Sequence, residues 1–183
     1  MTFLEMLALS LALGLDAFSV AIGAGIVAPG LRRRLRLAWH FGFFQFGMPL
    51  LGWQLASVVS PRVGASSKWL GAFLLFLIGA RMIRASFRPT ASLKGRLSGD
   101  PTKGWMLVGL SLATSLDALG AGFGFGLLIS DLLPACLLIG AVAFVVTYTG
   151  MAMGNRLAGR VGTWAEAVGG TVLVLLGVRM ILF

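Results

Sequence analysis

This sequence has few of the residues that form disulfides, soft-metal cages or a water-soluble surface. Of its 183 residues, one is cysteine, one is histidine and six are acidic, and charged residues make up 11% of the chain. The single cysteine, Cys136, excludes an intramolecular disulfide. Soluble domains contain about 25% charged residues, whereas this chain is 58% apolar. The composition therefore predicts a protein embedded in a lipid bilayer.

Six apolar stretches are long enough to cross a membrane. A bilayer core about 30 Å thick requires about 20 helical residues. The stretches are continuously apolar, which favours helices over the alternating pattern of barrel strands. We therefore predict an all-α polytopic membrane protein with six transmembrane helices, at residues 3–28, 37–60, 68–87, 104–129, 132–155 and 163–183.

Basic residues concentrate between alternate pairs of these stretches. The net charge is +9, but the basic residues are spread over short connections and form no continuous face for nucleic acid. The first, third and fifth connections carry most of them, and the first contains Arg32, Arg33, Arg34 and Arg36. The positive-inside rule then predicts that these connections are cytoplasmic and that both termini lie outside.

The two halves of the chain share sequence motifs. Residues 9–17 and 110–118 both read Leu-Ser-Leu-Ala-x-x-Leu-Asp-Ala, and residues 79–83 resemble residues 177–181 around an arginine. We predict a three-helix repeat at 1–87, a cytoplasmic linker at 88–103 and a second repeat at 104–183. Because each repeat has an odd number of helices, the two cross the membrane in opposite directions, as the inverted repeats of transporters do.

One aspartate, Asp16 or Asp117, lies near the middle of the first helix of each predicted repeat. A charge at mid-membrane costs at least about 2.5–3.5 kcal/mol, so it is retained facing protein, water or a cation. Two nearby carboxylates hold protons when empty and release them to a dication, which predicts metal–proton exchange. The alternative is a protonated aspartate that hydrogen-bonds a neighbouring helix.

Other candidate metal ligands are mostly oxygen donors. Hard and borderline divalent ions accept carboxylate, amide, hydroxyl and carbonyl oxygen, which makes Gln45, Thr114 and Ser19 candidates. Met48 offers a thioether that favours a softer ion, or it serves as packing. The glycines of residues 122–126 permit close helix packing, unwind to present carbonyls to an ion, or do both.

The remaining charged residues lie near the ends of the predicted spans. Arg81 and Arg179 can each pair with a carboxylate, but both lie near span ends, where we expect snorkelling to the lipid headgroups to suffice. Glu5 and Glu166 are expected to be solvated caps, and His40 is expected at the interface.

Three segments carry a family resemblance, namely residues 15–23, 41–53 and 114–118. Over essentially the full length, the sequence resembles the MntP family of bacterial manganese efflux pumps. The resemblance implies a six-helix inner-membrane exporter with Mn²⁺ as transported substrate, no cofactor, and Asp16 and Asp117 as essential residues. Some members carry an acidic residue at the position of Gln45 and a lysine at that of Ala24, so the full ligand set of the family does not transfer to this chain.

We therefore predict secondary-active export of Mn²⁺, with protons as the counter-ion and Asp16, Asp117, Gln45, Met48, Thr114 and Ser19 as metal ligands. No phosphate-binding loop for ATP occurs in the sequence. The alternative transport function is export of another small cationic solute, such as a basic amino acid. An intramembrane enzyme with an aspartyl dyad is an alternative from another class, but the sequence has no catalytic motif beside the two aspartates. A non-transporting assembly protein is a third alternative, and it would not need the aspartates. The oligomeric state stays open.

Overall fold

The computed structural model describes residues 3–63, 67–87, 100–127, 132–157 and 161–182. Within these ranges the fold is all-helical, which confirms the predicted all-α architecture and the number of helices, while the inverted repeats and the orientation of the termini stay predictions. The prediction for residues 88–99, most of the linker, lies outside the described residues. The helices are α1 (Phe3–Val27), α2 (Leu31–Val63), α3 (Ser67–Ser86), α4 (Gly104–Gly126), α5 (Leu133–Leu157) and α6 (Val161–Leu182).

Three helices in the described part of the chain are long and apolar enough to cross a bilayer. They are α1, α4 and the Leu133–Gly154 portion of α5, and α6 adds a shorter apolar stretch at Ala167–Arg179. A helix of about 20 residues spans the hydrocarbon core, so the chain is a membrane protein by length and composition. That all six helices cross the membrane stays a prediction.

Helix α2 begins six residues earlier than the sequence predicted. The prediction that the arginine cluster of residues 32–36 lies in a loop was wrong, because these residues form the first turns of α2. Arginine is a good helix former, so the helix continues beyond its apolar portion. Gly30, with a φ of 134°, occupies a backbone conformation that favours glycine and marks the tight turn between α1 and α2.

Asp100 connects the start of α2 to the start of α4. Its carboxylate accepts hydrogen bonds from the Thr102 hydroxyl (2.6 Å) and from Arg33 Nε (3.1 Å), and Lys103 Nζ lies 3.8 Å away. Arg36 donates to the Thr102 carbonyl at 3.3 Å. The hydrogen bonds from Thr102 and the charge of Arg33 hold the pKa of Asp100 below its ordinary value, although partial desolvation opposes them. Asp100 is therefore ionised at neutral pH and offsets part of the local positive charge.

The most extensive helix contacts join elements that are distant in sequence. Helix α1 packs on α5 and α6, α2 packs on α4 and α5, and α3 packs on α6. Neighbouring helices in the chain, such as α1 and α2, share only a small contact. The core is thus formed between residues 3–87 and residues 104–182.

Glycines allow the helix backbones to approach closely at these contacts. A β-carbon at Gly122 of α4 would collide with the Pro49 carbonyl of α2, and one at Gly126 would lie 2.9 Å from the Trp53 Cα. On α1, a β-carbon at Gly25 would lie 2.8 Å from the Met151 Cα of α5. Small residues at helix interfaces are typical of membrane bundles, because close packing replaces the hydrophobic driving force.

The same contacts give the relative directions of the helices. Gly122 meets Pro49 and Gly126 meets Trp53, so α4 and α2 run parallel. Between α3 and α6 the order is reversed, because Gly79 approaches the Gly170 carbonyl while Gly177 approaches the Ala72 carbonyl, so these helices are antiparallel. Both relations agree with consecutive helices that alternate in direction.

Replacing Gly122 with alanine tests the α2–α4 contact. Because its new methyl group meets backbone atoms that cannot rotate away, we expect Gly122→Ala to lower stability by about 1–3 kcal/mol. Nothing lies within 4 Å of a β-carbon at Gly109 of the same helix. We therefore expect Gly109→Ala to raise the free energy of unfolding by about 0.5–1 kcal/mol. Thermal unfolding in detergent measures both variants, and equal stability of the two would contradict the described packing.

Candidate functional site

Asp117 of α4 is buried and pairs with Arg81 of α3. The aspartate is 7% exposed, and Arg81 Nη1 donates to its Oδ1. The prediction that Arg81 snorkels to the headgroups was therefore wrong. A guanidinium beside a buried carboxylate offsets the cost of removing that carboxylate from water.

The packing of α3 against α4 brings Arg81 to Asp117. A β-carbon at Gly120 would lie 2.7 Å from Ile78 Cδ1, and one at Gly124 would lie 3.1 Å from the Gly71 carbonyl oxygen. Residue numbers rise along α4 as they fall along α3, so the two helices are antiparallel. Positions 117, 120 and 124 share a helix face, and the two glycines on that face let α3 approach closely enough for the ion pair.

Asp16 lies on α1 and is partly buried. Helix α1 packs mainly on α5 and α6, and it also contacts α4 over a shorter stretch. Asp16 and Asp117 thus belong to helices that touch each other. Their joint binding of one ion stays a prediction.

Near the start of α1, Glu5 forms an ion pair instead of a solvated cap. Arg179 Nη1 pairs with Glu5, whose side chain is 17% exposed, so the predictions of a snorkelling Arg179 and a solvated Glu5 were wrong. His40 is partly exposed, and its Nδ1 lies 2.9 Å from the Arg36 carbonyl oxygen. The side chain of Glu166 lies outside the described residues.

Gln45 of α2 is buried against α4 with one oxygen unused. Its side chain is 1% exposed, and its Nε2 donates to the Thr114 carbonyl at 3.1 Å. The side-chain oxygen Oε1 is buried without a hydrogen-bond partner among the described residues. Pro49, four residues later, has no N–H to donate to the Gln45 carbonyl. Gln45 therefore offers oxygen atoms that the helix itself does not use.

The other predicted ligands differ in what they offer. Met48 of α2 is partly buried against the core, and it directly precedes Pro49, which meets Gly122 of α4. The Thr114 hydroxyl donates to the Leu110 carbonyl at 3.0 Å, and the Ser19 hydroxyl donates to the Leu15 carbonyl at 3.0 Å. Both hydroxyl protons are thus bound within their own helices.

The glycines after Asp117 serve helix packing. Helix α4 is continuous to Gly126, so of the two roles predicted for residues 122–126 the structure contains close packing, not unwinding. Gly122 and Gly126 are the positions where α4 meets α2.

In the described part of the chain, no three histidine, cysteine, aspartate or glutamate side chains come together as a metal cage. An ion held here would complete its shell with amide, hydroxyl, carbonyl, thioether or water ligands. Oxygen ligands of this kind suit hard and borderline divalent ions better than soft ones.

Comparison with known proteins places this chain in a family. A family model described as "Putative manganese efflux pump" matches residues 28–181. A Syntrophobacter fumaroxidans protein is 42% identical over 183 residues that cover all of both chains. A Maridesulfovibrio salexigens protein is 40% identical, again with full coverage of both chains. A protein from Geobacter sp. strain M21 is 42% identical over all of this chain and 97% of its own.

All three relatives carry the name "Putative manganese efflux pump MntP". No solved structure matches the chain. Because the family model covers most of the chain and the relatives align over its whole length, the chain belongs to the MntP family of manganese efflux pumps.

Proposed function

We propose that the protein is a secondary-active transporter that exports Mn²⁺ from the cytoplasm through a site centred on Asp16 and Asp117. The observation that carries this proposal is the buried carboxylate of Asp117 on a helix long enough to span the bilayer, one turn from the buried contact between Gln45 and Thr114. An ionisable group at this depth is functional by default. Membership of the MntP family supplies the identity of the ion.

The export site is built, in our proposal, at the interface of two inverted repeats, residues 1–87 and 104–183. The contacts of the two halves support this. Gly126 of α4 approaches Trp53 of α2, and Gly25 of α1 approaches Met151 of α5 with nearly the same geometry. A shift of 98–101 residues relates each member of the first pair to a member of the second. Repeats of opposite direction provide alternating access by rocking about a central site.

The proposed orientation has basic connections in the cytoplasm and both termini outside the inner membrane. The ion pair between Arg33 at the start of α2 and Asp100 before α4 supports it, because it holds the first and third connections on the same side. Alternating helix directions are also consistent with six crossings. Positive charge at this end then follows the positive-inside rule.

The proposed coordination shell contains the two aspartates, with Gln45, Thr114, Met48 and Ser19 as further ligands. Gln45 has the strongest support, because its Oε1 is buried and unpartnered among the described residues. A thioether from Met48 would favour Mn²⁺ over harder ions such as Mg²⁺. Protons are the proposed counter-ion, the lipid bilayer is the surroundings, and the chemistry is transport without catalysis of a covalent reaction.

Removing either aspartate charge tests the site directly. We expect Asp16→Asn and Asp117→Asn each to reduce Mn²⁺ export to background, because a neutral amide binds a dication far more weakly than a carboxylate. Asp100→Asn is the matched control, since Asp100 lies outside the helices and its loss leaves export near the wild-type rate. Mn²⁺ flux in proteoliposomes measures all three. Wild-type export by both helix variants would rule out the ion site.

Thermal stabilisation by added ligands distinguishes Mn²⁺ from the alternative substrate, a basic amino acid. A ligand that binds the folded state raises its unfolding temperature. Mn²⁺ is expected to stabilise the purified wild-type protein, whereas lysine and Mg²⁺ at the same concentration have little effect. Stabilisation by lysine alone would favour the alternative.

Replacing Gln45 with leucine tests its role as a ligand. Leucine removes an unsatisfied polar group and fills a similar volume, so we expect stability to change by less than about 1.5 kcal/mol. The apparent Kd for Mn²⁺ is expected to rise about tenfold, which corresponds to the loss of about 1.4 kcal/mol of binding. Calorimetry on Gln45→Leu beside Gln54→Leu, an exposed position of the same helix, measures the difference. Equal affinity of the two variants would remove Gln45 from the site.

The pH dependence of binding tests the proposed proton exchange. Carboxylate ligands must lose their protons to bind a metal, so Mn²⁺ binding is expected to weaken as pH falls, by about tenfold per pH unit for each proton displaced. Calorimetry in buffers of different ionisation enthalpy counts the protons released. A flat pH profile with no proton release would contradict the exchange and leave Mn²⁺ binding itself intact.

A further inference from the structure

We infer that Arg81 is a tethered cation that occupies Asp117 when the transporter is empty and that the transported dication must displace. The inference rests on the proposed function, because it assigns a competitor to the same site. Its geometric basis is the ion pair between the Arg81 guanidinium and the Asp117 carboxylate.

The two partners of this pair differ in their exposure. The Asp117 side chain is 9% exposed, whereas that of Arg81 is 62% exposed. The arginine thus reaches the carboxylate from the periphery of the bundle with much of its length unenclosed by protein. A side chain with four rotatable bonds held mainly at its tip can swing away without rearrangement of the core.

Charge makes the arginine and the substrate mutually exclusive. A guanidinium and a dication on one carboxylate repel each other, and this repulsion is stronger in the low-dielectric surroundings of a buried carboxylate than in water. The dication also attracts Asp117 more strongly than a single positive charge does. Binding of Mn²⁺ therefore releases Arg81, and departure of Mn²⁺ allows Arg81 to return.

The position of Arg81 is fixed by backbone packing rather than by the ion pair alone. Ile78 and Gly71 of α3 contact α4 at Gly120 and Gly124. These contacts set the register of the two helices, so the arginine stays within reach of Asp117 after it is displaced. This gives it a high effective concentration as a competitor.

The second copy of the arginine motif provides a matched comparison. Arg179 occupies the corresponding place in residues 177–181, but it pairs with Glu5 near the start of α1. Glu5 precedes Asp16 by eleven residues, which is about 16 Å along the helix. Arg179→Gln therefore removes the same charge from the same motif without removing the partner of Asp117.

Mn²⁺ titration of the purified full-length protein, followed by calorimetry, tests the inference in wild type, Arg81→Gln and Arg179→Gln. If Arg81 is paired with Asp117 in about nine-tenths of the Mn²⁺-free protein, its removal lowers the apparent Kd for Mn²⁺ about tenfold. Arg179→Gln is expected to stay within about twofold of wild type. In proteoliposomes, Arg81→Gln is expected to lower the KM for Mn²⁺ and also the maximal rate, because the ion is no longer expelled by a returning charge.

A structural role for Arg81 gives a different result. Weaker or unchanged Mn²⁺ binding by folded Arg81→Gln overturns the inference, while the proposed function survives if wild type still binds Mn²⁺ and Asp117→Asn does not. Absence of Mn²⁺ binding by wild type overturns both. If Arg81→Gln does not fold, Arg81→Met decides, because methionine keeps a long flexible side chain but carries no charge that competes for Asp117. An apparent Kd below that of wild type supports the competitor, and any other value overturns it.

Discussion

The close approach of helix backbones at glycine is the constraint on which this fold depends. Gly122 has no room for a β-carbon beside Pro49, and Gly25 has none beside Met151. Each contact joins one half of the chain to the other, so the core exists only where the halves meet. In a bilayer, where lipid is as apolar as the side chains, such contacts supply the dispersion energy and the helix register.

Register, in turn, determines the electrostatics of the interior. The contacts of Gly120 and Gly124 align α3 with α4, and this alignment places a guanidinium next to the carboxylate of Asp117. The parallel packing of α2 on α4 places Gln45 beside Thr114 in the same way. Polar groups that would each be costly alone in hydrocarbon are therefore grouped in one region by packing of small residues.

The sequence predicted the helices well and their partners poorly. Five helices begin within two residues of the prediction, because the ends of each apolar stretch mark the segment that is long enough to cross the hydrocarbon core. Helix α2 begins earlier, since arginine continues a helix while ending an apolar run. Pairing of Arg81 with a carboxylate was only the alternative to snorkelling, because the identity of that carboxylate depends on the register between α3 and α4, which no local pattern encodes. Gln45 and Thr114 were both named as ligands from residue type, but their contact required the packing of two helices 69 residues apart.

The pairing of α1 with α5 has a consequence for synthesis of the protein. Helix α1 is complete at Val27, and its main partner begins at Leu133. At 5–20 residues per second, ribosomes need roughly 5–20 s to make the intervening residues. During that interval the close contact of Gly25 with Met151 cannot form, because Met151 has not been synthesised. The main packing contact of α1 is therefore completed only after more than two thirds of the chain has been synthesised.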